Sequence, residues 1–150
     1  MNRPSAKLAA IACALIFASS AALAQNAIAG KTFRSWSPSH GSQIEYMAPG
    51  GRSYLWYPGN RVVLPGLWKT GAIQGIPAIC FLYGDNTYNP VTAQPGGRWQ
   101  CRPESLWART QVEAVAGDVF SLSRRSAAPF PLPRENIPMA QLRQGLTELR

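Results

Sequence analysis

The sequence has few of the residues from which catalytic and metal sites are built, with one histidine and seven Asp or Glu residues in 150 positions. It contains no phosphate-binding loop, dinucleotide fingerprint, haem attachment sequence, nucleophile elbow or zinc-binding helix. The single histidine, His40, has serines close to it at positions 37, 39 and 42, but a Ser–His pair also needs a third group that orients the base. The sequence therefore predicts a protein that is not an enzyme and has no cofactor.

The sequence also lacks a hydrophobic run long enough to span a membrane, which takes about twenty residues. Residues 8–17 form an uncharged apolar run of ten that follows Arg3 and Lys7. Small residues at positions 22 and 24 precede Gln25, so the pattern predicts a secretory signal peptide over residues 1–24, cleaved after Ala24. A lipoprotein would need a cysteine where Gln25 stands. We therefore expect a periplasmic or secreted protein with no transmembrane span after cleavage.

Acidic residues are outnumbered by basic ones in the chain that cleavage would leave. Removing 24 of 150 residues leaves 126, enough for one domain with a core, and 13 Lys or Arg against seven Asp or Glu, a net charge of +6. Nearly all of the cations are arginines, which hold planar anions in two-point contacts. An anionic glycan or lipid of the cell envelope, or another exported protein, would suit this charge, whereas nucleic acid would not suit the compartment. The alternative is that the arginines are solvated surface residues that only keep the protein soluble.

Only two cysteines, Cys80 and Cys101, remain after the predicted cleavage. An even number of cysteines in an oxidising compartment predicts a disulfide. A bond between these two would close a loop of 21 residues, worth about 3 kcal/mol in the chain-entropy model. Two thiols and one histidine cannot complete a tetrahedral zinc site without carboxylates, so no metal site is predicted.

Alternating apolar and polar residues predict short strands over much of residues 43–125, after a polar N-terminal segment, 25–42, with one short strand near residues 32–36. Pro49-Gly50 and Pro58-Gly59 predict turns, whereas Pro65-Gly66 is either a turn or a bend in one strand over 61–70. Residues 76–83 are apolar on both faces, which predicts a covered strand. On the strand that returns to it, Trp99 and Cys101 are expected to face the core, and Arg98, Gln100 and Arg102 to face solvent.

The last third of the chain is predicted to form three further elements. Residues 110–115 and 119–124 alternate around Gly117-Asp118, which predicts a final hairpin. Residues 126–137 contain three prolines, with a fourth at Pro138, and should run extended, and residues 138–150 carry Met and Leu at helical spacing. The predicted fold class is all-β and mainly antiparallel, a small barrel or sandwich of about six to eight strands with a short C-terminal helix.

Two sets of residues are candidate functional sites. Tyr88, Arg98, Arg102 and Trp107 would place aromatic faces among guanidinium groups for an anionic sugar or lipid headgroup, although Tyr88 and Trp107 could equally pack the loop and the core. Asp85 and Glu104 lie just outside the two cysteines, so the hairpin could bring them together as the acid and base of a hydrolase acting on cell-wall sugar. Asp85 is also a residue that a turn would use.

The run GRSYLWYPGNRVVLPGLWK, followed by ICFLYG, a Trp before the second Cys, and GDVFSL, resembles small exported bacterial proteins classed as domains of unknown function. The resemblance covers roughly residues 43–124 and implies a compact periplasmic β domain, with no activity attached. The layout is also similar to that of periplasmic lysozyme inhibitors, which are small disulfide-bonded β-barrels, but their inhibitory loop motif is absent here. The expected function is a non-catalytic, envelope-associated binding module, with the hydrolase and an inhibitor of another exported protein as alternatives.

Overall fold

The computed structural model describes residues 27–148, except for the side chains of residues 147 and 148. The predicted signal peptide lies outside the described residues. Within residues 27–148, the fold is built from nine strands and two helices. The strands are β1 Lys31–Ser37, β2 Gly41–Met47, β3 Arg52–Trp56, β4 Leu64–Ile73, β5 Ile76–Tyr83, β6 Tyr88–Asn89, β7 Gln94–Pro95, β8 Gln100–Pro103 and β9 Gln111–Ala116. The helices are α1 Glu104–Thr110 and α2 Met139–Glu148, and a single 3-10 turn covers Leu122–Arg124.

Seven of the strands form one antiparallel sheet in the order β8-β5-β4-β3-β2-β1-β9, which curls into a half-barrel. The two shortest strands, β6 and β7, pair only with each other inside the loop between β5 and β8. The predicted class, mainly antiparallel β with a short C-terminal helix, is confirmed. Among the described residues, neither helix is long and apolar enough to cross a membrane.

The inner face of the half-barrel carries one of two hydrophobic clusters, which we call the inner core. It is formed by seven buried residues: Ile28, Phe33, Met47, Trp68, Ile79, Phe81 and Trp107. Helix α1 connects β8 to β9 at the two ends of the sheet and places Trp107 against Phe33, with the ring centroids 4.9 Å apart. Because these rings fill the space between the edge strands β8 and β9, α1 covers the open side of the half-barrel.

The outer face carries the second cluster, the outer core, between the first three strands and the C-terminal part of the chain. Its buried residues are Ile44, Trp56, Val63, Phe120, Leu122, Leu132, Met139 and Leu142. Trp56 stands at its centre, where its ring meets Phe120 and Phe130 edge-on and its Nε1 donates to the Phe130 carbonyl. The apolar stripe of α2 thus packs on its own domain. The Pro-rich segment, predicted to run extended along the surface, forms no strand or helix and buries Leu132 in the outer core.

An ion pair between Arg34 and Glu113 fastens this C-terminal part to the sheet. Arg34 is 5% exposed, and its Nε lies 2.7 Å from Glu113 Oε2 across the β1–β9 pair. Arg34 Nη1 also donates to Asn136 Oδ1, and the backbone N–H of Met139 donates to Glu113 Oε2. Glu113 therefore accepts from the first residue of α2 as well as from β1, so one carboxylate joins three parts of the chain.

The predicted final hairpin does not form. β9 pairs with β1 instead, and residues 118–124 make a turn and a 3-10 turn. Asp118 explains the difference, because its carboxylate accepts from the backbone N–H groups of Leu122 and Ser123 and holds them in a tight coil. Phe120 and Leu122, which were expected to share a strand face, reach the outer core from this coil.

The strand that returns to β5 turns towards the interior the face that was predicted to point to solvent. The register pairs Phe81 with Gln100 and Cys80 with Cys101, so Gln100 shares the inner face with the buried Phe81. Cys101 and Trp99 lie on the outer side and are exposed. The period-two pattern is present as expected, but here the polar set points into the half-barrel.

Two of the predicted turn signals form turns with a positive φ at the glycine, at Gly50 and Gly59. Pro65-Gly66 instead lies inside β4, in agreement with the alternative of one continuous strand. Residue 66 has to be small because it lies opposite Tyr83 in the register. A Cβ there would lie 2.7 Å from Tyr83 Cδ1 and 2.9 Å from Ser53 Oγ.

Candidate functional site

One end of the half-barrel opens into a pocket of about 160 Å³, which we call the mouth pocket. Four parts of the chain surround it: the β1–β2 turn, the inner face of the sheet, the loop of residues 84–99, and the C-terminal segment at Arg134. Leu55, Tyr57 and Leu64 supply an apolar wall from the sheet, and Tyr88 and Val91 lie on the loop opposite. Tyr88 is 60% exposed and Val91 45% exposed, so this side of the pocket borders on solvent.

The loop that covers the pocket has a tightly packed base. Thr87 Oγ1 donates to the Gly84 carbonyl at 2.6 Å, and Gly96 N donates to the Thr87 carbonyl. A Cβ at position 96 would lie 1.9 Å from the Gly84 oxygen, so only glycine fits there. At the tip, Asn89 Oδ1 accepts from the N–H of Val91 at 3.0 Å. These contacts hold Tyr88 over the mouth pocket, and the disulfide pins the strands that lead into the loop.

The polar groups at the mouth pocket are neutral or cationic. His40 and Arg134 line it together with glutamine and asparagine side chains, and no Asp or Glu is among the lining residues. Arg134 Nη2 donates to the Ser39 carbonyl at 2.6 Å, which ties the C-terminal segment to the β1–β2 turn. Burial lowers the pKa of His40, and the charges of Arg102 and Arg134 lower it further. The pocket lining therefore combines the charge of Arg134 with an imidazole whose protonation is disfavoured, and Arg102 adds a second positive charge nearby.

Behind the pocket wall, a carboxylate is held in the interior of the half-barrel. Glu45 Oε1 accepts a hydrogen bond of 2.5 Å from the hydroxyl of Tyr83, which itself lines the pocket. Phe33 and Leu55 are the cross-strand neighbours of Glu45. Burial among these groups raises the pKa of Glu45, while burial and the Glu45 charge raise that of Tyr83. The hydroxyl of Ser53 is fully buried beside this pair.

We expect Glu45 to give the protein a pH-dependent loss of stability. The raised pKa means that the folded state keeps the Glu45 proton above the ordinary value of 4.5. The unfolded chain then binds fewer protons in that interval, so the free energy of unfolding falls as pH rises through it. Glu45→Gln, which keeps an acceptor for Tyr83, should therefore stabilise the protein more at about pH 7 than at about pH 4.

Urea unfolding of the two proteins at both pH values measures this effect. The exposed Glu135 supplies a matched control, because Glu135→Gln removes the same charge without a buried environment. If Glu45→Gln changes stability equally at both pH values, the interior carboxylate does not titrate as described.

The structure brings some of the predicted binding residues to the mouth pocket and keeps others away. Tyr88 lines the pocket, and Arg102 lies close enough for its charge to act on His40 and Glu45. Arg98 is exposed on the loop beyond the pocket lining. Trp107 is 5% exposed in the inner core, so it is a core residue and the binding role predicted for it is wrong.

Asp85 and Glu104, the predicted carboxylate pair, are not brought together. Ala78 pairs with Pro103, so Glu104 lies beside the start of β5, whereas Asp85 follows its end at Tyr83. Glu104 and Asp85 are therefore separated by about eight residues of extended strand, or roughly 26 Å at about 3.3 Å per residue. Two carboxylates that act on one glycosidic bond need a separation of about 5–10 Å. The expectation that the hairpin joins them therefore fails on register.

His40 and Ser37 do approach each other, but among the described residues no carboxylate acts on His40 to complete a triad. Ser37 Oγ lies 3.2 Å from His40 Nδ1 and also accepts from the His40 backbone N–H. The side chain near His40 on the other side is Asn89, and the charges that act on it come from Arg102 and Arg134. These contacts are those of a side chain that closes the β1–β2 turn.

Two site residues, Glu45 and Arg134, were not found from the sequence. Glu45 alternates with Ile44 and Tyr46, so its place on the opposite face of β2 was readable, but a polar interior was not expected there. Arg134 stands in the Pro-rich segment, whose path over Ser39 depends on contacts 95 positions apart in the chain. No local pattern marks such a residue.

Comparison with known proteins gives no match to a protein family, a curated protein or a solved structure. Within residues 27–148, no group of three or more His, Cys, Asp or Glu side chains could hold a metal ion.

Proposed function

We propose that this protein is an exported, non-catalytic binding module that holds an anionic component of the cell envelope, a glycan or a lipid headgroup, in the mouth pocket. The observation that carries the proposal is a pocket with apolar and aromatic walls, arginine charge and no lining carboxylate. Small-molecule sites typically have this composition, in which apolar groups bind the body of the ligand and a few polar groups orient it.

The size of the pocket limits what it can hold. Its volume of about 160 Å³ is close to that of a cavity that accepts one benzene ring, about 150 Å³. The ligand is therefore a single ring, or the terminal ring of a longer chain that continues past Tyr88 into solvent. A sugar ring fits this description, because its C–H face can lie against Tyr88 while its substituents reach the polar groups.

The charges at the pocket favour a ligand with a carboxylate or phosphate. Arg134 presents a planar guanidinium at the rim, and Arg102 adds a second positive charge nearby. A guanidinium binds either anion in two-point contacts. A neutral sugar would offer neither arginine an anionic partner, so we expect the pocket to favour anionic over neutral sugars.

We expect the purified protein to bind glucuronate more tightly than glucose, which has a hydroxymethyl group where glucuronate has its carboxylate. Arg134→Gln should weaken glucuronate binding about ten-fold, because a hydrogen bond to a charged group contributes about 1.5–3 kcal/mol. Tyr88→Ala should weaken binding of both sugars. Titration followed by nuclear magnetic resonance measures each dissociation constant, and raising the salt concentration should weaken glucuronate binding.

Arg143→Gln is the matched control, because it removes the same charge from the exposed face of α2, away from the pocket lining. Arg134→Lys keeps the charge without the two-point geometry and should fall between the wild type and Arg134→Gln. Equal binding of glucuronate and glucose, or an equal loss from Arg143→Gln, would contradict the proposal. Glucose 6-phosphate, tested beside glucuronate, distinguishes a phosphate-bearing headgroup from an acidic sugar.

A further inference from the structure

The outer face of the sheet is covered over only part of its width. The C-terminal segment and α2 pack over the outer core at β1 to β3, whereas the outward side chains at positions 65, 67 and 69 of β4 are exposed. Leu67 is 43% exposed there, and Trp99, just before β8, is 38% exposed. Both are large apolar groups on a face of the molecule separate from the mouth pocket.

Two cations accompany these apolar side chains. Lys69 Nζ lies 4.2 Å from the centre of the Trp99 ring, and Lys69 stands opposite Cys80 in the register. Arg52 is the cross-strand partner of Leu67 and is exposed. No outward position of β3, β4, β5 or β8 is an Asp or Glu. We call the set of Arg52, Leu67, Lys69 and Trp99 the outer patch.

We propose that the outer patch is a contact surface for a lipid bilayer with anionic headgroups. Tryptophan is enriched at the boundary between headgroups and acyl chains, where its ring is apolar and its N–H can remain hydrated. Lysine places its alkyl stem along apolar surface and its ammonium in the polar layer. Arg52 and Lys69 then attract anionic headgroups, and each cation near such a surface favours binding.

The alternatives fit the outer patch less well. A second copy of the chain in a two-fold contact would set Arg52 and Lys69 against the same residues of the other copy, which repel. A stable protein partner needs about 800 Å² on each side, and two half-covered side chains provide a small part of that. Weak, reversible attachment to a membrane needs only a few apolar side chains beside basic residues.

Sedimentation with vesicles tests the proposal. We expect the purified protein to bind vesicles of equal parts phosphatidylcholine and phosphatidylglycerol, and to bind much less to pure phosphatidylcholine. Lys69→Gln and Arg52→Gln should each lower the partition coefficient about five-fold, the effect of about one cation at an anionic surface. Trp99→Ala should lower it by a similar factor, and Trp99→Phe by less. These exposed positions leave the fold intact, which thermal unfolding checks.

The controls separate this surface from overall charge and from the mouth pocket. Arg143→Gln should leave vesicle binding nearly unchanged, although it removes the same charge as Lys69→Gln. Arg134→Gln should also leave vesicle binding unchanged, while Lys69→Gln leaves glucuronate binding unchanged. The proposal for the outer patch and the proposal for the mouth pocket can therefore be refuted independently. The proposal is overturned if Arg143→Gln and Lys69→Gln act equally, if no vesicles are bound, or if the patch variants lose binding to soluble polyglutamate but not to vesicles.

Discussion

Glu113→Ala should lower the free energy of unfolding by about 3 kcal/mol, the largest effect expected of a single charged residue in this fold. The change leaves the guanidinium of Arg34 buried at 5% exposure without its carboxylate. It also removes the acceptor of the Met139 N–H at the start of α2. Breaking a buried ion pair costs about 3–5 kcal/mol. We expect the lower end of that range, because the Glu113 side chain is 31% exposed. Urea unfolding measures the loss, provided that the slope of the free energy of unfolding against urea concentration is the same in the variant and the wild type.

Two variants control this experiment. Glu135→Ala removes an exposed carboxylate close to the same segment and should change stability by less than about 0.5 kcal/mol. Replacing Arg34 and Glu113 together by leucine should recover part of the loss, since no unpaired charge then remains buried. A cost below about 1 kcal/mol for Glu113→Ala would mean that the pair does not join β9 to α2 as the geometry indicates.

Loss of the disulfide should be the second large effect. Cys80 and Cys101 are bonded directly across the β5–β8 pair, with a separation of 21 positions. Replacing both by alanine should cost about 3 kcal/mol, or a fall of roughly 10 °C in the unfolding midpoint for a domain of this size. β8 pairs only with β5, over four residues, so little else holds this edge of the sheet. Glucuronate binding should weaken too, because β8 and the loop form one side of the mouth pocket.

Scanning calorimetry of the double variant and of the chemically reduced wild type checks this effect. The two should agree, because both remove the same bond. If the reduced wild type melts within 2–3 °C of the oxidised protein, an effect of only about 1 kcal/mol, the bond contributes little to stability. If the midpoint falls but glucuronate binding persists, the loop does not depend on the bond for its position.

Local patterns were sufficient to predict the fold class and several elements. Alternation from residue 43 onward predicted antiparallel strands, and Pro49-Gly50 and Pro58-Gly59 predicted turns that form. The pairing of Cys80 with Cys101 followed from their number and spacing and is present. The stripe of Met and Leu after Pro138 predicted a helix, which forms over Met139–Glu148. Apart from the disulfide, which follows from the number of cysteines, each of these depends on interactions within one strand, turn or helix.

The pairing of β9 could not be predicted in the same way. Val112 and Ala114 carry a strand pattern, but the choice between a following hairpin and a distant partner depends on contacts about eighty positions away, such as Arg34 with Glu113 at a separation of 79. Asp118 decides the matter locally by coiling the residues after it. An aspartate after glycine is also a common hairpin signal, so the sequence alone favoured the wrong structure.

The mouth pocket could not be predicted from the sequence, for a different reason. Alternation on β2 and β8 separates one set of side chains from another but does not say which set points inward. The usual assumption places apolar residues inside, and here Glu45, Tyr83 and Gln100 line or approach a partly polar interior. Tyr88 was singled out as an aromatic residue near cations, and it does reach the pocket. Its neighbours there come from parts of the chain that no local pattern connects.

The crossing of the C-terminal segment over β1 and β2 also determines when this protein can fold. Ser42 Oγ donates to the Glu135 carbonyl and Trp36 Nε1 to that of Arg134, across 93 and 98 positions of the chain. During synthesis, Ile44 and Trp56 therefore cannot be fully covered until residues beyond 130 have left the ribosome, because Phe130, Leu132, Met139 and Leu142 complete the outer core. Such long-range closure predicts slow folding. We expect the unfolded chain to expose the outer-core side chains of β2 and β3 for most of its synthesis.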